Sequence, residues 1–153
     1  MLYVPDHLEI AAPIEAIFLQ DSDSDVPFNK HVLVIAGKES KFTYLERFES
    51  IGNASQKASA NISVEVIAQA GSQIKFSAID RLGSSVTTYI SRRGHLAKAA
   101  NIEWALAVMN EGNVIADFDS DLIGQGSQAD LKVVAASSGR QVQGLSLIHI
   151  WRC

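Results

Sequence analysis

The stretch ISVEVIAQAGSQIKFSAID, residues 62–80, decides how the rest of the chain is read. Ile62, Val64 and Val66 alternate with Ser63 and Glu65. A corner holding Gly71 follows, and then Ile74, Phe76 and Ala78 alternate with Lys75 and Ser77. Alternation with period two is the mark of a strand with one buried face. A glycine at the corner relieves the backbone where the chain must turn sharply. Outward from this stretch the same unit recurs. Upstream, Val32–Ala36 leads through Gly37 to Phe42, Tyr44 and Leu45. Downstream come Val86, Thr88 and Ile90; Ile102, Trp104, Leu106 and Val108, with Gly112 before Val114, Ala116 and Phe118; and Leu131, Val133 and Ala135 beyond Gly124 and Gly126. The corner residues are Lys, Glu, Ser, Gln and Asn, so the corners face water.

The residues from Ala97 to Met109 include good helix formers. The comb Ile102–Trp104–Leu106–Val108 continues into Val114, however, and predicts a strand. The run Ser50–Ala60 is small and polar and reads as a loop or a single helical turn. Uneven glycine spacing makes this a degenerate repeat. Strands of this kind bury their apolar faces either by stacking turn upon turn in a coil, or by pairing two sheets in a sandwich.

Composition narrows the function classes. The chain has 153 residues, 47% hydrophobic and 20% charged, with a formal net charge of −4. That is one domain's worth of chain with enough apolar residues for a core. The charge balance favours neither nucleic acid nor an anionic membrane, which call for basic patches. No apolar run reaches the about 20 residues needed to span a bilayer. The start, Met1–Ala11, lacks the features of a secretion signal. A single cysteine, Cys153, forms neither an internal disulfide framework nor a cysteine metal cluster. The cytoplasm is the expected compartment.

Residues 145–153, LSLIHIWRC, depart from the style of what precedes them. Leu145–Ile150 is what one frame of a common transposon-based sequencing adapter encodes, with Trp151 at a TGA read as tryptophan. The expectation is a non-native tail over 145–153, with His149, Trp151 and Cys153 carrying no function and the native frame running on past Gly144. If present in the folded chain, Leu147, Ile148, Ile150 and Trp151 would make a sticky apolar end.

Candidate chemistry is sparse. His7, His31, His95 and His149 form no ligand-spaced pair; His7 and His31 read as turn residues and His95 as an exposed corner. Arg92 and Arg93, with Lys98 nearby, form the compact basic pair. They suit a phosphate or an acidic partner, though the plainer expectation is solvated charge at a strand end. Asp21, Asp23 and Asp25 alternate with serines, and Asp117, Asp119 and Asp121 repeat the pattern. Alternating acids invite calcium, but the glycine and distal glutamate of a calcium loop are missing, so a flexible acidic loop is expected at Asp21–Asp25; if both runs fold as strands, their acids would line an outer face. Glu46 and Glu49 flank Arg47, while Glu65 and Asp80 read as strand-end residues. A glycosidase needs two such acids about 5 to 9 Å apart, and only Tyr44 and Tyr89 offer aromatic surface near them. Trp104 lies on a core-facing comb and should pack there with its N–H bonded. Gly124-Gln125-Gly126-Ser127 is half a nucleotide loop in the wrong context, with no Lys-Ser following. No residue is assigned a catalytic, cofactor-binding or metal-binding role.

The order of three elements resembles the core domain of the SufB/SufD family of iron–sulfur cluster assembly. They are VEVIAQAGSQIKFSAI over Val64–Ile79, the strand ending in Arg92-Arg93, and Ile102-Glu103-Trp104 before a glycine turn. VLVIAGKESKFTYLE, Val32–Glu46, resembles the family's preceding rungs, and Tyr3-Val4-Pro5 with Ala12-Pro13-Ile14 its entry into the core. Arg47-Phe48 stands where SufB proteins tend to carry Glu-Gly-Cys, so the SufD side is favoured. The resemblance implies an all-β, right-handed parallel β-helix, partial and truncated here, over residues 1–144. It also implies a non-catalytic scaffold that forms a heterodimer with a SufB-like subunit and works with a SufC-like ATPase. The fragment itself would hold no cofactor; the iron–sulfur cluster belongs to the full complex. The family's interface histidine and ATPase-docking segment lie downstream of the matched region, and His95 sits in an earlier rung. The alternative function is a carbohydrate-active or structural β-helix protein.

Overall fold

A computed structural model describes residues 1–53 and 56–151, Trp151 through its backbone alone. Cys153, and Ala54 and Ser55 within the run read as a loop, lie outside the described residues. Among the described residues eleven strands follow one another: β1 (Leu2–Val4), β2 (Ile14–Asp21), β3 (Phe28–Ala36), β4 (Lys41–Ile51), β5 (Ala58–Ala68), β6 (Gln73–Arg81), β7 (Val86–Leu96), β8 (Asn101–Val108), β9 (Val114–Leu122), β10 (Gln128–Ala135) and β11 (Gln143–Trp151). The odd strands form one sheet in the order β1-β3-β5-β7-β9-β11, and the even strands a second, β10-β8-β6-β4-β2. Every strand pairing is parallel. Parallel neighbours cannot be joined by a hairpin. Here the opposite sheet supplies each crossover, so the chain coils as a parallel β-solenoid of five turns, one for each strand of the even sheet.

The alternation read from sequence is the inward face. In the even sheet, Tyr44, Phe76, Trp104 and Leu131 fall in one register row. The three aromatic rings follow one another along the axis, tilted by 51° and 50°, with centroids 5.1 Å apart for Tyr44–Phe76 and 4.7 Å for Phe76–Trp104. In the odd sheet, Val34, Val66 and Gly94 share a row. Gly94 leaves room for the indole: a Cβ there would lie 3.2 Å from both Ile102 and Trp104. Residues 101–108 are extended, as the comb predicts, and Trp104 is buried with Nε1 donating to Ser120 Oγ at 3.3 Å.

The corners β3–β4, β5–β6 and β7–β8 are four residues each and alike. Each has a residue of positive φ at the same step: Glu39 (54°), Gly71 (72°) and Ala99 (56°). The amide of each donates to a carbonyl one turn onward, Ala70, Lys98 and Gln125 respectively. Gly71 suits that conformation; Glu39 and Ala99 adopt it without glycine. Corners from even to odd strands vary in length and are tied by side chains, as where Asn110 Oδ1 accepts from the Leu82 amide at 2.9 Å.

Three strands escaped the sequence reading: β1 and β2 precede the first expected run, and β11 follows the last. β2 pairs with β4 and buries Gln20 beside Ser22. His31 lies within β3, not in a turn, and His95 lies within β7, not at a corner; both occupy outward positions, where a polar side chain does not interrupt the apolar comb. Most of the tail, residues 145–151, falls in β11, in register with β9. On β11, Leu145, Leu147, Ile148 and Ile150 are exposed, and on β10 the inward Ala129, Leu131 and Val133 are half-buried.

Candidate functional site

Among the described residues three charged side chains are fully buried on the inward face. Glu46 follows Phe42 and Tyr44 on the comb of β4, Asp80 follows Ile74, Phe76 and Ala78 on β6, and Arg92 follows Val86, Thr88 and Ile90 on β7. Parity alone turns all three indoors. They meet there with no side-chain exposure. Arg92 Nη1 donates to Asp80 Oδ2 at 2.9 Å and Nη2 to Asp80 Oδ1 at 2.7 Å. Nη2 also donates to Glu46 Oε1 at 2.9 Å. The Tyr44 hydroxyl stands 3.5 Å from Glu46 Oε2, and the guanidinium lies 5.9 Å from the Phe118 ring centre. Arg92 Nε has no hydrogen-bond partner among the described residues.

This corrects the expectation for Arg92. It is not solvated charge at a strand end but the centre of a dry ion cluster. The inward comb of β7 offered it no other direction.

Burial sets the electrostatics. Desolvation pushes the Glu46 carboxyl above its ordinary range, and Arg92 only partly offsets this. Desolvation, then the Glu46 charge, raises the Tyr44 phenol. Burial works against the Arg92 charge, but Asp80 and Glu46 together overcome it and hold the guanidinium above its ordinary value.

Outside the odd sheet, a ladder of polar pairs covers β7 and β9. Tyr89 donates to Asp117 at 2.8 Å, Arg93 to Asp119 at 3.1 Å, and His95 Nδ1 lies 3.2 Å from Asp121. The bond to Asp117 raises the Tyr89 phenol. The acids of β9 thus line an outer face, as the alternation implied. His31 pairs with Glu65 at 3.2 Å on the same face. Glu65 is in the middle of β5 and points outward while Asp80 points inward, so the two do not converge as a carboxylate pair. Glu49 bonds Arg47 at 2.7 Å, and Arg47 reaches Glu15 at 3.1 Å.

The other acidic run behaves as a loop. Asp21 ends β2, its Oδ1 accepts from the Asp23 amide at 3.0 Å, and Asp23 Oδ1 accepts from the Asn53 amide at 3.0 Å. Among the described residues no three His, Cys, Asp or Glu side chains converge as a metal site. His7 lies in a turn with φ 60° and contacts Glu39 at 3.1 Å.

Sequence reasoning missed a second buried polar string. Ser50 Oγ donates to Gln20 Oε1 at 2.6 Å, Ser22 Oγ donates to the same oxygen at 3.2 Å, and the Gly83 amide donates to Ser50 Oγ at 2.9 Å. A cleft of about 590 Å³ opens beside it, with Glu49, Arg81 and Glu111 on its walls. The signal for Gln20 was its parity with Ile14, Ala16 and Phe18.

The family model described as SUF system FeS cluster assembly, SufBD core domain, matches residues 18–150. The iron–sulfur cluster assembly protein SufD of Bacillus subtilis (strain 168) is 36% identical over 97% of this chain and 34% of its own length. An iron–sulfur cluster assembly SufBD family protein of Staphylococcus epidermidis is 22% identical, and one of Staphylococcus aureus (strain MRSA252) 21%, each over 97% of this chain and 32% of its own length. The chain therefore spans about a third of the length of these curated relatives. No solved structure matches it.

Proposed function

The chain belongs to the SufB/SufD family of the SUF iron–sulfur cluster assembly system, and on that premise we propose that it is a SufD-like, non-catalytic scaffold component acting in the cytoplasm. The observation that carries this is the 36% identity to a protein named SufD, across nearly all of the chain. Arg47-Phe48 directly after Tyr44-Leu45-Glu46, in place of the Glu-Gly-Cys that SufB proteins tend to carry, supports the SufD side. In this reading the solenoid is a rigid strut. It pairs with a SufB-like subunit and, through that pair, works with a SufC-like ATPase during cluster building or delivery. The cluster is cargo of the assembled complex.

A solenoid suits such a role because each turn rests on its neighbours, so a long rigid surface is built from local contacts. The outward Glu65 and inward Asp80 give no support to the glycosidase alternative.

The test is co-expression of the product of the complete gene with SufB-like and SufC-like subunits from the same genome. A three-component complex surviving gel filtration is expected. Folded product that elutes apart from both partners overturns the proposal.

A further inference from the structure

The buried cluster contains one guanidinium and two carboxylates, all without side-chain exposure. With both acids ionised the group would hold a net negative charge inside a dry solenoid, where an uncompensated charge is costly. From this imbalance we infer that the folded chain keeps one proton in its interior, on Glu46, so that folding takes up a proton from solvent.

Geometry assigns the proton. Asp80 receives two short bonds from Arg92, at 2.9 and 2.7 Å, one to each oxygen, the arrangement a carboxylate favours. Glu46 receives one, on Oε1 at 2.9 Å, and its Oε2 faces the Tyr44 hydroxyl at 3.5 Å. A neutral acid with its proton on Oε2 can still accept from Arg92 on Oε1. It is then the Tyr44 oxygen that lies in reach of the acid proton.

The groups facing Glu46 are Tyr44 from β4, Asp80 from β6 and Arg92 from β7. Along its row it lies between Ala16 of β2 and Ala78 of β6. From β9 the cluster meets the Phe118 ring. Lys30 of β3 is turned to the Phe28 ring, 4.6 Å from its centre. Desolvation, which raises the Glu46 carboxyl, acts in the same direction.

The consequence is a pH dependence opposite to that of a salt-bridged acid. In the unfolded chain Glu46 ionises in the ordinary glutamate range; in the folded chain it ionises only at higher pH. The stabilising effect is complete below the ordinary range and is lost as pH rises through the folded-state value. Between the two, unfolding releases a proton, and the unfolding constant rises about tenfold per pH unit from this group.

Infrared spectroscopy of the full chain reads the proton directly. At about pH 6, above the ordinary glutamate range, folded wild type should show the carbonyl stretch of a buried neutral carboxylic acid. Glu46→Gln should fold, lose that band and lose the associated pH slope in denaturant melts. Asp80→Asn leaves one acid for one guanidinium, so the band should vanish with Glu46 still present. Wild type without the band overturns the inference. So does Glu46→Gln retaining the slope, or failing to fold, because glutamine has the shape of the neutral acid. Should Asp80→Asn fail to fold, the wild-type band and the Glu46→Gln slope decide.

Discussion

Arg92 and Arg93 are neighbours in sequence and lie on one strand, yet Arg92 bonds acids of the facing sheet across the core and Arg93 an acid of the adjacent strand β9, so they belong to different regions of the molecule. Arg92 points into the solenoid and has no side-chain exposure; Arg93 points to the outer ladder and is 50% exposed. The ladder outside is wet, screened and made of single pairs. The cluster inside is dry and made of one guanidinium and two acids joined by short hydrogen bonds. The difference teaches that a charge on a strand is judged by the face it shares, not by its neighbours along the chain.

The largest expected effect breaks the inner region. Arg92→Met leaves Asp80 and Glu46 buried with no cation, and removing one partner of a buried ion pair typically costs about 3–5 kcal/mol. A urea melt should show a large fall in midpoint. Replacing Glu46, Asp80 and Arg92 together by apolar residues of similar volume should recover most of that loss, because the desolvation of the whole cluster is relieved as well. A triple variant no more stable than Arg92→Met would show that packing, not charge, sets the cost.

A smaller effect probes the same interior without touching charge. Gly94→Ala, two positions from Arg92, places a methyl 3.2 Å from Ile102 and Trp104. Overpacking of a filled core costs about 1–3 kcal/mol. The loss should be insensitive to pH and salt, and Trp104 fluorescence should report the displaced ring.

Most of the fold was legible. The combs at Ile62–Val66, Ile74–Ala78 and Ile102–Val108 gave strands, because one buried face imposes period two. β2 was not, since Ile17 and Leu19 are exposed and apolar on the outward side, which blurs its alternation. The inner cluster was legible in principle and was passed over. Glu46, Asp80 and Arg92 each continue an apolar comb at the inward parity, and their signs balance in part, but adjacency to Arg93 suggested a surface pair. That the three meet required the register, which depends on corner lengths that vary along the chain. The acids of β9 line the outer face that they would take as a strand, because they alternate with inward Ala116, Phe118 and Ser120.

The smallest expected effect tests the outer region. Arg93→Ala removes the pair with Asp119, but the guanidinium is half exposed, and exposed pairs are worth about 0–1 kcal/mol. The midpoint should move little at low salt. The difference from wild type should shrink further at high salt, because counter-ions already screen charges that water reaches. The Arg92→Met loss should persist under the same conditions, since salt does not enter the interior. Two adjacent arginines would then be separated by salt alone. If both losses faded together, the cluster would be open to solvent and the distinction between the two faces of β7 would collapse.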